Sequence, residues 1–131
     1  MTEGYSGTPQ LKKLGIKPGT RVAIVDAPEG WAFEHPPIDA VSVTEGAADV
    51  IIAFVATAAE VAPVVASQRD RIHPAGALWI AWPRKAAGHV TDVGDSVVRE
   101  TGLAGGLVDV KVAALDHDWS ALKFVWRLGD R

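Results

Sequence analysis

The residues able to do chemistry fall into two short groups, each placed directly after an apolar run. Asp26, Glu29 and Gly30 sit in DAPEG, which follows Val22 to Val25. Trp82, Arg84 and Lys85 sit in WPRKAAGH, which closes the run Leu78 to Trp82, with Thr91 and Asp92 close behind. Open α/β sheets bind ligands at the carboxyl ends of their strands. Two carboxylates facing two cations there would form a crevice for a small polar or anionic ligand. Trp82 would add a flat apolar surface, and a helix starting at Thr91 or Asp92 would add free backbone amides. The same residues also have an inert arrangement. Trp82 packs under its loop, Arg84 and Lys85 stay solvated, and Asp26 and Glu29 close the crevice as a salt-bridged plug.

Other chemistry is poorly supported. The chain has no cysteine, which removes disulfides, thiolate metal sites and cysteine nucleophiles. His35, His73, His89 and His117 are scattered, with no pair at metal-ligand spacing. No spacing links Ser67, Ser96 or Ser120 to a histidine, and Asp116-His117-Asp118 reads as a hairpin turn. Lys123 reads as a solvated edge-strand lysine that discourages aggregation. Trp126, in phase with Leu122 and Phe124, reads as core, while Trp31 and Trp119 near turns stay open. Tyr5, Ser6 and Thr8 belong to an amino-terminal arm that either folds over the crevice or is a loose end followed by a helix cap.

Composition bounds these options. With 131 residues, 48% of them hydrophobic and 22% charged, the chain suits a single soluble domain over 1–131, with 1–7 as a loose arm. A net charge of −3 argues against general nucleic-acid binding. The longest apolar stretch, Val50 to Ala59, is too short to span a bilayer, and no basic segment with a following apolar run opens the chain. No membrane association and a cytoplasmic location are the expectations.

The elements that must position these groups follow from periodicity and punctuation. Thr8-Pro9 and Gly15 bracket a short helix from Pro9 to Leu14, and Lys17-Pro18-Gly19 turns into a strand over 21–26. Pro28, Gly30, Pro36 and Pro37 leave no room for a long helix before Ile38. Ile38 to Val43 is a short strand, either antiparallel to its sequence neighbour or a frayed edge piece, since a parallel crossover needs a dozen or more residues. Val50 to Val55 is apolar on both faces, as a central parallel strand is. Thr57 and Glu60 suit a capping box, but Pro63 would sit inside the helix that follows it, so the pattern favours a turn over 57–61 and a helix from Ala62 to Ile72 with Val61, Val64, Val65 and Ile72 inward. Leu78 to Trp82 is the next central strand, and Thr91 or Asp92 caps a helix to about Thr101. Alternation over 108–115 and 122–128 around DHDWS predicts an antiparallel hairpin at the sheet edge.

A parallel α/β core closed by an antiparallel hairpin resembles the class I S-adenosylmethionine-dependent methyltransferase fold. LGIKPGTRVAIV is similar to the lead-in to that family's first strand, and HPAGALWIAWP to the turn and strand after its penultimate helix. More closely, YSGTP at 5–9, KKLGIKPG at 12–19, LWIAWPRKAAG at 78–88, TD at 91–92, VVRE at 97–100, GLVDVKV at 106–112 and WSALKFV at 119–125 resemble a small bacterial family, prominent in actinobacteria, known as a domain of unknown function. The resemblance implies a three-layer, Rossmann-like, mostly parallel sheet with an abbreviated amino-terminal half, and it lends no activity. The methyltransferase glycine-rich turn falls on Asp26 to Gly30, where only Gly30 matches. Asp26 would place its carboxylate against that of the cofactor, an unfavourable like-charge contact, and Pro28 removes an amide donor. Ile24 stands where that family often has an acid, and Glu45 is the one acid placed for ribose hydroxyls. Losing about 2–3 kcal/mol of contacts weakens binding about a hundredfold, so S-adenosylmethionine is disfavoured and no cofactor is predicted. The leading reading is a non-enzymatic domain binding a protein partner or a small polar or anionic ligand. An S-adenosylmethionine enzyme with an atypical turn, and a self-associating module forming a homodimer, are the alternatives.

Overall fold

A computed structural model of the chain describes residues 8–131. Its elements in chain order are α1 (Gln10–Leu14), β1 (Arg21–Val25), β2 (Val41–Ser42), β3 (Val50–Phe54), α2 (Val61–Gln68), β4 (Ala77–Pro83), α3 (Asp95–Ala104), β5 (Leu107–Ala114) and β6 (Trp119–Trp126). The strands form one sheet in the order β2-β1-β3-β4-β6-β5, with the first four parallel and the last two antiparallel to their neighbours. The expected mostly parallel sheet closed by an antiparallel hairpin is present. Residues 1–7, assigned above to an arm, lie outside the described residues.

Two apolar layers hold the sheet, because β3 and β4 are apolar on both faces. On one face Ile51, Ala53, Leu78, Ile80, Leu122 and Phe124 meet Val61, Val64 and Val65 of α2 and Val98 of α3. Gly102 of α3 lies so close to this face that an added Cβ would stand 2.1 Å from Phe124 Cε1, which explains a glycine inside a helix. On the other face Val22, Ile52, Phe54, Trp79 and Ala121 meet Leu14 and Ile16, with Trp31 and Phe33 packed at the margin. Among the described residues only the five-residue α1 and the irregular segment 26–40 cover this second face, and Ile24 is 38% exposed.

Several local expectations are refined. Segment 38–43 is an edge stub of two residues, parallel to β1 with Arg21 opposite Val41. Two residues rise only about 7 Å, so the chain reaches β3 by crossing the amino end of β1, with Val43 N–H donating to Val22 O and Asp49 N–H to Arg21 O. Pro63 is tolerated because it lies in the first turn of α2, and a tighter turn over 69–72 replaces the last part of the expected helix. Val61, Val64, Val65 and Ile72 are all buried as expected.

Neither Thr91 nor Asp92 caps α3, which starts at Asp95 behind an extended Gly94. The Asp92 carboxylate instead accepts Ala58 N–H, and the Thr91 hydroxyl accepts Val93 N–H while donating to Ala56 O. In the hairpin, β6 begins three residues earlier than expected, at Trp119, because Trp119 pairs with β4 and Ser120 and Ala121 pair with both neighbouring strands. A register shift between Asp109 and Lys111 leaves Val110 and Val112 exposed on the edge strand β5. Lys123 is not on an edge: β6 lies between β4 and β5.

Candidate functional site

The chain leaves β1 for β2 on one side and then passes to β3 on the other, so β1 and β3 flank the point where the strand order reverses. Ligand crevices of open α/β sheets form at the carboxyl ends of such strands. Here that end is built from the loop after β1, the loop after β4 and the turn joining β5 to β6.

Asp26 ends β1 in the left-handed region, at φ 56°, a conformation that aspartate adopts more readily than most residues. Trp31 N–H then donates to Pro28 O across a turn with Gly30 at φ 80°. Positive φ at the third position defines a type II turn and calls for glycine. The matched glycine therefore shapes this turn. It delivers Trp31 onto the end of β3, where its ring meets Phe33 and Phe54 edge-on at 5.0 Å each. Trp119 meets Phe54 in the same way. Both tryptophans left open by the sequence belong to this aromatic cluster.

The β5–β6 turn organises the rest. Asp116 Oδ1 accepts the backbone N–H groups of Asp118 and Trp119, each at 2.9 Å, and its Oδ2 accepts Trp31 Nε1–H at 2.9 Å. The loop after β4 binds the same turn. Arg84 N–H donates to Asp118 O at 2.8 Å, and the Arg84 guanidinium donates to His117 O. His89 Nε2 lies 3.0 Å from Asp118 Oδ1. That hydrogen bond, helped by one from His117, holds the Asp118 carboxyl below its ordinary value.

Between these segments lies an open cleft of about 460 Å³ bordered by Glu29, Gly30, Trp31, His89, Asp116 and Asp118. Its ionisable border consists of three carboxylates and one histidine. Such a border favours ligands that present cations or hydroxyl groups and disfavours anions. Among the described residues no group of three or more histidines and carboxylates is placed to hold a metal ion.

The residues singled out in the sequence divide between two places. Glu29 and Gly30 border the cleft. Trp82, only 5% exposed, packs into the core on the helical face, and with Lys85 it borders a separate cavity of about 300 Å³ near Gly94 and Asp95. Arg84 is committed to the hairpin turn, Thr91 bridges Ala56 and Val93, and Asp26 is exposed at the end of β1. No ion pair links Asp26 or Glu29 to Arg84 or Lys85 among the described residues. His89, Asp116 and Asp118 were not predicted as cleft residues. The signal available was the turn signature of Asp116, whose side chain both shapes the turn and reaches Trp31.

No family model and no curated protein sequence matches the chain, so the narrower likeness to a small bacterial family stands on the quoted residues alone. Solved structures match its fold. Fibrillarin from Aeropyrum pernix, solved with natively bound S-adenosyl-L-methionine, superposes with a TM-score of 0.56 at 16% identity, over 88% of this chain and 73% of that one. The fibrillarin pre-rRNA processing protein of Methanococcus jannaschii gives 0.58 at 14% identity, over 95% and 71%. A putative methyltransferase from Thermoplasma acidophilum gives 0.57 at 10% identity, over 95% and 77%. The chain has the Rossmann-like fold of class I S-adenosylmethionine-dependent methyltransferases, and at these identities the likeness is one of fold.

Proposed function

We propose that this chain is a non-catalytic binding domain on a methyltransferase-like scaffold, taking a small polar ligand or a partner segment at the cleft beside Glu29, His89 and Asp118. The observation that carries this reading is the course of the chain after β1. An open α/β nucleotide site needs glycines that let the ligand approach the backbone, and a helix whose amino-terminal amides face it. Here Asp26 and Pro28 occupy the turn, and no helix lies between β1 and β2 among the described residues. Trp31 packs at the end of β3 and is hydrogen-bonded to Asp116. These residues do not fit S-adenosylmethionine. The carboxylate border favours an amine or a hydroxyl-rich ligand over the anion expected from Arg84 and Lys85. A cytoplasmic location is part of the proposal. Among the described residues no helix is long and apolar enough to cross a membrane.

One observation favours the enzyme alternative: Asp26 keeps the left-handed backbone of a glycine turn, on a fold whose relatives include a protein solved with S-adenosyl-L-methionine. Nuclear magnetic resonance separates the two. The indole N–H signals of Trp31 and Trp119 report directly on the cleft. We expect neither to move when S-adenosylmethionine or S-adenosylhomocysteine is added to 1 mM. Saturable shifts of both would overturn the proposal in favour of the enzyme.

A further inference from the structure

A second cavity, of about 440 Å³, opens at the opposite end of the sheet, where the parallel strands begin. Its wall is made by Lys17, Gly19 and Thr20 before β1, Asp49 just before β3, and Lys123 and Val125 in the second half of β6. This region is positive in a chain whose net charge is −3. The carboxylate on the wall, Asp49, is already engaged by Arg21. Its Oδ2 accepts the backbone N–H at 2.8 Å and Nε–H at 3.2 Å, and Oδ1 accepts from the guanidinium at 3.0 Å.

Among the described residues no ion pair of this kind engages Lys17, Lys111 or Lys123. Lys123 stands opposite Trp79 on β4 and opposite Lys111 on β5, so all three side chains share one face of the sheet. Lys111 Nζ lies 5.8 Å and Lys123 Nζ 6.0 Å from the centre of the fully buried Trp79 ring. Like charges directly opposed on neighbouring strands are destabilising. Among the described residues no carboxylate neutralises either ammonium. Burial, and then the Lys111 charge, lower the Lys123 ammonium below its ordinary value. Lys13, lowered by burial and then partly raised by the nearby Glu34 carboxylate, donates to Ala114 O and is not part of this uncompensated charge. A fold that tolerates this repulsion has a use for uncompensated positive charge beside a cavity.

From this arrangement we propose that the cavity is an oxyanion site for a phosphorylated small molecule, held by Lys123 and Lys17, with Lys111 adding its charge from the position opposite Lys123. The volume lies within the range of small-molecule sites, and Gly15 and Gly19, where a Cβ would meet nothing within 4 Å, leave the entrance clear. The site is separate from the cleft at the carboxyl ends of the strands and does not depend on what that cleft binds.

The test uses pyrophosphate as the probe, with sodium chloride of matched ionic strength as the reference, read by calorimetry and thermal melting. We expect saturable, submillimolar pyrophosphate binding and a rise in Tm that chloride does not reproduce. Lys123→Met, which keeps the aliphatic stem, should weaken binding at least tenfold, and Lys17→Met, at an exposed position, at least threefold. Lys85→Met, at the other end of the sheet, should change it less than twofold. A response equal to that of chloride, or equal losses in Lys17→Met and Lys85→Met, would overturn the proposal. Lys17→Met keeps it falsifiable should Lys123→Met fail to fold.

Discussion

Replacing Trp31 with alanine should destabilise the domain by about 3 kcal/mol. The indole is half-buried, so it falls at the lower end of the roughly 3–5 kcal/mol typical of Trp-to-Ala substitutions in cores. Two edge-on contacts, with Phe33 and Phe54, contribute about 0.5–1.5 kcal/mol each beyond area burial. The hydrogen bond to Asp116 contributes about 1 kcal/mol more in this part-buried setting. Trp31→Phe keeps the ring contacts and removes only that bond, so its loss should be about 1 kcal/mol. Urea unfolding monitored by circular dichroism reads both values, with the slope m checked for constancy. A loss below about 1 kcal/mol for Trp31→Ala would show that the segment after β1 is not held in place by this side chain. The explanation of the occupied crevice would then fail.

Three further outcomes follow from the same structure. Gly102→Ala should destabilise by about 1–2 kcal/mol: with the added Cβ 2.1 Å from fully buried Phe124, overpacking falls in the upper part of its usual range, about 2–3 kcal/mol, and outweighs the roughly 1 kcal/mol gained in helix propensity, and a neutral or higher urea midpoint would contradict the close approach. The Asp49 carboxyl is held below its ordinary value, first by the Arg21 side-chain hydrogen bond. Its contribution is present above the unfolded value of about 4 and is lost as pH falls through the lower folded one. The pair is about half exposed, so the gap in stability between wild type and Asp49→Asn should be about 1 kcal/mol or less. That gap should hold from pH 7 to 5 and shrink below pH 4. Lys123 has the opposite sense: its folded value is lowered, so charge is penalised in the folded state and stability rises as pH climbs from that value toward 10.5. Lys123→Met should therefore melt at or above wild type at pH 7, with the gap closing under alkaline conditions, and a gap that widens would contradict the repulsion.

The sheet was legible because its central strands carry their pattern openly. Val50 to Val55 and Leu78 to Trp82 are apolar on both faces, and the closing hairpin brackets the turn signature DHDWS. Segment 38–43 was harder, since two paired residues carry too little periodicity to define a partner. The start of α3 was misread because Thr91 and Asp92 have capping chemistry but spend it on residues 56, 58 and 93, which are 34 or 35 positions away for the first two contacts. Of the candidate site, Glu29 and Gly30 were legible from their place after β1. The approach of His89, Asp116 and Asp118 was not, because it depends on how far the β5–β6 turn reaches over the sheet. Lys123 shows the converse: its chemistry was visible, but its setting between two strands and beside Lys111 arises only from the strand order.

The central claim is that the crevice after β1 is not an S-adenosylmethionine site, and calorimetry tests it most directly. Titration of S-adenosylhomocysteine and S-adenosylmethionine into the wild-type chain at high micromolar concentration should give no saturable heat. A one-to-one isotherm with Kd below about 50 μM, an interaction of about −6 kcal/mol, would contradict the account and return the chain to the cofactor-binding enzymes of its fold.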